Sequence, residues 1–77
     1  MITGLVLVTL QAGKETQAMI KIKEVKGISH VSAVYGRWDL VVDVETDDLP
    51  SMSRLVVERL RTIPGVVATE TLVTTAI

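Results

Sequence analysis

Apolar residues fall in two different rhythms along this chain, and the alternation between them predicts its architecture. Met1 to Leu10 is rich in Val, Leu and Ile, with Leu5 and Leu7 on one side of an extended chain and Val6 and Val8 on the other, so it reads as a strand ending at Gln11-Ala12-Gly13. From Lys14 to Lys26 the period changes. Ala18, Met19, Ile22 and Val25 recur at helical spacing, while Lys14, Glu15, Lys21 and Lys23 take the opposite side. Gly27 supplies a helix stop. A second strand is expected from Ile28 to Tyr35, a short Gly36-Arg37 turn after it, and a third strand from Trp38 to Glu45 in which Trp38, Leu40, Val42 and Val44 alternate with Asp39, Val41, Asp43 and Glu45. That pattern predicts a hairpin with a connection of two or three residues. Asp47 and Asp48 offer N-caps ahead of Pro50. The second helix, to about Ile63, sets Met52, Leu55, Val56, Leu60 and Ile63 on one side. Pro64-Gly65 ends it, and Val66 to about Thr75 is the last strand.

The order is βαββαβ, and the chain echoes itself. Val25-Lys26-Gly27-Ile28-Ser29-His30-Val31 aligns with Ile63-Pro64-Gly65-Val66-Val67-Ala68-Thr69: helix end, glycine, strand. Two interleaved βαβ halves predict a ferredoxin-like α+β domain, a four-stranded antiparallel sheet with both helices on one face. With 77 residues there is room for one such domain and no second.

If two helices cover one face, the other should read polar at every second position. It does not. Strand one is apolar on both sides, and strand four alternates Val67, Thr69, Thr71 and Val73 with Val66, Ala68, Glu70 and Leu72. Hydrophobic residues make up 48% of the chain and the mean hydropathy is +0.45, high for a domain whose small size leaves much surface to cover. A second copy packed sheet to sheet is the expected cover. Leu5, Leu7, Trp38, Val67 and Val73 are the candidate dimer-interface residues.

Composition narrows the functional classes. With no cysteine, neither disulfides nor thiolate metal sites are available. A net charge of −1 gives no basic footprint for direct nucleic-acid binding. No apolar run is long enough to cross a bilayer, and the start has no basic leader, so a cytoplasmic location is expected. No Ser–His–Asp set, cysteine nucleophile, phosphate loop or metal-ligand spacing occurs, so the expectation is a protein that is not an enzyme and has no cofactor. His30 is the sole histidine and has no second ligand near it. Asp43 and Glu45 share a strand face and resemble a carboxylate site, but charged edge residues that discourage edge pairing explain them.

Three segments, Lys26-Gly27-Ile28, then Val34-Tyr35-Gly36-Arg37-Trp38-Asp39-Leu40-Val41-Val42, and Ile63-Pro64-Gly65-Val66 followed by Thr69-Glu70-Thr71, together resemble the effector-binding (RAM) domain of the Lrp/AsnC family of feast/famine regulators. The resemblance covers nearly the whole chain. It implies dimers that pack sheet to sheet and assemble further into octameric rings, with small effectors such as amino acids held between protomers. Regulators of this family carry a DNA-binding helix-turn-helix ahead of the domain. None precedes the first strand here, so the expectation is the stand-alone form, able to join full-length relatives.

The resemblance places effector contacts near the hairpin turn and the last strand, making Tyr35, Gly36, Asp39, Thr69 and Thr71 the candidate ligand-binding residues. The local chemistry agrees. Asp39 offers an anion for an ammonium group, Gly36 lets backbone approach closely, and Tyr35, Thr69 and Thr71 bring hydroxyls. Each also has a structural reading: Gly36 as the positive-φ turn residue, Asp39 as a turn cap or partner of Arg37, Tyr35 and Trp38 as packing aromatics, the threonines as ordinary strand residues. A ligand-free assembly subunit and a cofactor-independent enzyme are the alternatives, since fold alone decides neither.

Overall fold

A computed structural model describes residues 1–74 of the chain. The elements run β1 (Ile2–Leu10), α1 (Glu15–Lys23), β2 (Ile28–Ala33), β3 (Leu40–Thr46), α2 (Leu49–Leu55), a π-helical continuation (Val56–Leu60) and β4 (Val66–Val73). They form one four-stranded sheet in the order β2-β3-β1-β4, antiparallel at every pairing. This is the expected ferredoxin-like arrangement.

The core lies between the sheet and the helices. Val6, Val8 and Leu10 of β1 and Leu40, Val42 and Val44 of β3 are buried with Ala18, Ile22 and Val25 from the first helical segment and Met52, Leu55, Val56 and Leu60 from the second. Met19 and Ile63 pack against this cluster as partly buried neighbours. Burying one such side chain contributes about 1.5–3 kcal/mol, so these residues hold the protomer together. Gly4 sits in the same row of the sheet. A Cβ there would lie 2.9 Å from Met52 Sδ and 3.0 Å from the Leu72 carbonyl oxygen, so the missing side chain lets α2 settle onto β1.

The internal echo is visible in the backbone. Gly27 and Gly65 close the two helical segments with φ of 102° and 101°, a conformation that side chains disfavour. After each, the next strand's first N–H bonds back across the turn: Ile28 to the Val25 carbonyl at 3.3 Å and Val66 to the Ile63 carbonyl at 3.1 Å.

Several boundaries differ from the sequence reading. The first helix ends at Lys23 rather than Lys26, and the β2–β3 ladder stops at Ala33 and Leu40, so the connection is longer than a two- or three-residue turn. The second helix changes to π-helical hydrogen bonding from Val56, with the Arg61 N–H bonded to the Val56 carbonyl at 2.9 Å. In β4 the register shifts between Thr9 and Leu10, so Leu10 pairs with Val66 while Thr9 pairs with Ala68. Val67 is the extra residue, and Val66 shares a face with Thr69, Thr71 and Val73 rather than opposing them. The strand's expected extension to Thr75 lies outside the described residues.

At the start of α2, Asp48 Oδ1 accepts from the Ser51 N–H at 2.8 Å. Hydrogen bonds from the Ser51 side chain and backbone, and then the Arg54 charge, hold the Asp48 carboxyl below its usual range. A depressed carboxyl favours the fold above its unfolded value and loses that contribution as pH falls through the folded value. Acidification to about pH 2 is therefore expected to loosen the first turn of α2, seen as lost protection of the Ser51 amide. In an Asp48→Asn variant, which caps without a charge, that protection is expected to stay flat with pH.

Candidate functional site

Three surfaces carry groups that the core does not use: the bare face of the sheet, the β2–β3 turn, and a cleft beside β4. On the bare face the register sets His30, Asp43, Leu5 and Leu72 side by side in one row, and Ser32, Val41, Leu7 and Glu70 in the next. Leu5, Leu7 and Val41 are half-buried by their neighbours alone, and Leu72 is 45% exposed. Glu45 and Glu70 border an apolar centre, while Asp43 stands beside Leu5 on β3, an inner strand, which corrects the reading of Asp43 and Glu45 as edge charges.

The turn is built around Asp39. Beyond Leu40 the β3 ladder leaves β1, so the Leu10 N–H has no backbone partner from β3. Asp39 Oδ2 takes that N–H at 2.8 Å. The Asp39 N–H bonds the Val8 carbonyl and its own carbonyl accepts from Val34 N–H, both at 2.9 Å. One residue therefore ties β1, β2 and β3 together where the sheet ends. Around it Gly36 adopts φ 134° in open space, the Tyr35 side chain is fully exposed, and Trp38 is half-buried.

The cleft lies on the helix side. It has a volume of about 370 Å³ and is lined by Leu49, Met52, Ser53, Val56, Val57 and Arg61 from the second helical segment and by Thr69, Thr71 and Val73 from β4. No group of three or more His, Cys, Asp or Glu side chains that could hold a metal occurs among the described residues. No helix among them is long and apolar enough to cross a membrane.

Comparison with known proteins agrees with this geometry. Residues 3–76 match the Lrp/AsnC ligand binding domain. The chain belongs to this family. It is 32% identical over 59 residues, 77% of its length, to an uncharacterised HTH-type transcriptional regulator of Pyrococcus abyssi, of which it covers 39%. It therefore spans well under half of the curated relatives it matches. A protein of Thermus thermophilus superposes with a TM-score of 0.93 at 28% identity, over 100% of this chain and 96% of that one. A transcriptional regulator of Neisseria meningitidis, solved as its complex with L-Met, superposes with a TM-score of 0.88 at 14% identity, over 97% of this chain and 50% of that one; that likeness is one of fold. As an Lrp/AsnC-type domain, the chain is a regulatory ligand-binding module related to transcriptional regulators.

Within the Lrp/AsnC domain the candidate residues divide between the three surfaces. Tyr35, Gly36 and Asp39 belong to the turn. Thr69 and Thr71 line the cleft with α2, and β1 lies between β4 and the strand that follows the turn. Of the candidate interface residues, Leu5 and Leu7 lie on the bare face. Trp38 sits at the turn, and Val67 stands at the β4 bulge, 64% exposed. Val73 pairs with Gly4, which puts it on the helix side among the cleft residues and corrects its placement with Leu5 and Leu7. The cleft had no signal in the sequence, because its wall depends on how α2 lies along the edge strand.

Asp39→Ala leaves the partly buried Leu10 N–H without its acceptor, a loss of about 1–3 kcal/mol. Asp39→Asn keeps an acceptor oxygen and is expected to unfold within about 1 kcal/mol of the parent. Urea unfolding of both variants checks this; equal stabilities for Asp39→Ala and the parent would contradict it.

Proposed function

We propose that this chain is a small-molecule-binding regulatory module, with a free amino acid as its effector, that dimerises through the bare face of its sheet and modulates transcription by joining DNA-binding relatives. The observation that carries the reading is an Lrp/AsnC ligand-binding domain whose uncovered face has Leu5, Leu7, Val41 and Leu72 at its centre. Leaving several such residues wet forfeits about 1.5–3 kcal/mol each, a large part of a stability of about 5–15 kcal/mol. A second copy covers them, and four such dimers closing into a ring is the further assembly proposed. The relation to HTH-type regulators supports a regulatory partner and a cytoplasmic location, and the L-Met complex of the Neisseria regulator supports an amino acid as effector.

Tyr35, Gly36 and Asp39 are the proposed effector contacts at the turn. One carboxylate oxygen of Asp39 holds Leu10, and the other is the proposed partner for an ammonium group. Thr69 and Thr71 join such a site only from a neighbouring protomer, which makes the effector site and the assembly interdependent. The commitment of Asp39 to the Leu10 N–H also favours a second reading, an assembly subunit that binds no effector.

Thermal unfolding against a panel of amino acids, with light scattering on the same samples, separates the two. A selective ligand at a hundredfold excess over its dissociation constant stabilises the native state by about 2.7 kcal/mol. Asp39→Asn is expected to abolish that shift while leaving the oligomer intact, whereas Leu7→Asp is expected to break the oligomer. A flat panel from an intact oligomer would favour the assembly subunit, and full binding by Asp39→Asn would remove Asp39 from the site.

A further inference from the structure

The cleft between α2 and β4 is polarised along its length. Only residues 61–65 connect the helical segment to β4, so the two run antiparallel, and helix order is the reverse of strand order along the cleft. Leu49 and Met52 therefore lie toward Val73, and Arg61 lies toward Thr69. On the helix, Leu49, Ser53, Val57 and Arg61 follow one another at i, i+4 spacing, which stacks them on one side. The π-helical turn carries that stripe to its end, where the Arg61 N–H closes on the Val56 carbonyl. Such turns recur at functional sites.

The strand side turns backbone groups of the same residues to the sheet edge. The Thr74 N–H bonds the Thr3 carbonyl at 3.0 Å, which makes Thr3 and Thr74 a hydrogen-bonded pair. Antiparallel ladders alternate between pairs that exchange bonds and pairs that do not, so Leu72 and Glu70 also spend their backbone groups on β1. Val73, Thr71 and Thr69 turn theirs to the open edge of the sheet. These are the strand residues whose side chains line the cleft. The wall thus offers hydroxyls from Ser53, Thr69 and Thr71 and, among the described residues, one charge, the Arg61 guanidinium, while the outward N–H and C=O groups of β4 run along the sheet edge beside it.

Among the described residues no carboxylate lines the cleft. We infer that it binds a small aliphatic monocarboxylate, with the carboxylate at the Arg61 and Thr69 end and the hydrocarbon along the exposed Val57, Val73 and Leu49. A guanidinium with hydroxyl donors beside it is matched to a carboxylate. Leu49, Met52, Val56, Val57 and Val73 supply the apolar wall that such a ligand's chain requires. An α-amino acid fits less well, because its ammonium group would enter beside the like-charged Arg61 with no carboxylate among the described lining residues to pair it. The volume of about 370 Å³ lies toward the small end of ligand pockets, which run from about 300 to 1,000 Å³. This site is separate from the turn at Asp39, and the inference does not rest on an amino acid binding there.

The test is an NMR titration of the full chain with three molecules that share one carbon skeleton: 4-methylpentanoate, L-leucine and 4-methylpentanamide. The carboxylate is expected to shift the amides of Val57, Thr69, Thr71 and Val73, with a dissociation constant of roughly 1 mM for so small a ligand. L-leucine and the neutral amide are expected to bind there at least about tenfold more weakly. Arg61 is exposed, so Arg61→Gln keeps the fold and is expected to weaken the carboxylate about tenfold. Equal or tighter binding of L-leucine at those amides, undiminished binding by Arg61→Gln, or no shift of those amides with any of the three would each overturn the assignment. Shifts from L-leucine confined to Tyr35, Gly36 and Asp39, with the carboxylate alone shifting the cleft amides, would support both the effector reading at the turn and this one.

Discussion

The constraint on which the structure depends is a sheet covered on one side only, with an inner strand that is apolar on both. β1 lies between β3 and β4 and directs Val6, Val8 and Leu10 toward the helices and Leu5 and Leu7 away from them. The first set, with Leu40, Val42 and Val44 beside it, anchors Ile22, Met52 and Leu60 and so holds the protomer. The second set has no such partner among the described residues. Because strand side chains alternate with a period of two, neither set can be improved by slipping the strand. The same strand that builds the core also presents the surface for which a second copy is proposed.

Much of this is legible in the sequence because it depends on local periodicity. The alternation in β1 and β3, the helical spacing of Ala18, Ile22 and Val25, and the repeated helix–glycine–strand segment all predict the elements found. Features that depend on contacts distant in the chain are not legible. The bulge at Val67 has no glycine or proline to announce it, and both faces of β4 carry valine, so the facing of Val73 could not be settled by pattern. Val56-Val57-Glu58-Arg59-Leu60 reads as an ordinary helix, and its π-helical hydrogen bonding emerges only where it meets β4. Asp39 illustrates the difference most clearly. Its charge and its place at the turn are legible, whereas its bond to the Leu10 N–H, 29 residues away, is not.

The arrangement separates surfaces that a sequence reading merges. The turn at Asp39 lies at the end of the sheet, the bare face looks away from the helices, and the cleft lies between the edge strand and α2. β1 and β4 connect all three, since Leu10 is held by Asp39 while Thr69 and Thr71 pair with Val8 and Val6. In the proposed account, a ligand at either end acts through strands that also form the assembly face. That gives a regulatory domain a physical route from small-molecule binding to oligomer geometry without moving parts of its own.

The central claim is that the bare face is covered by a second copy of the chain. Sedimentation equilibrium of the unmodified protein at micromolar concentration tests it most directly. The account predicts a dimer or a whole multiple of one across the range. A compact monomer that shows no tendency to associate would contradict it.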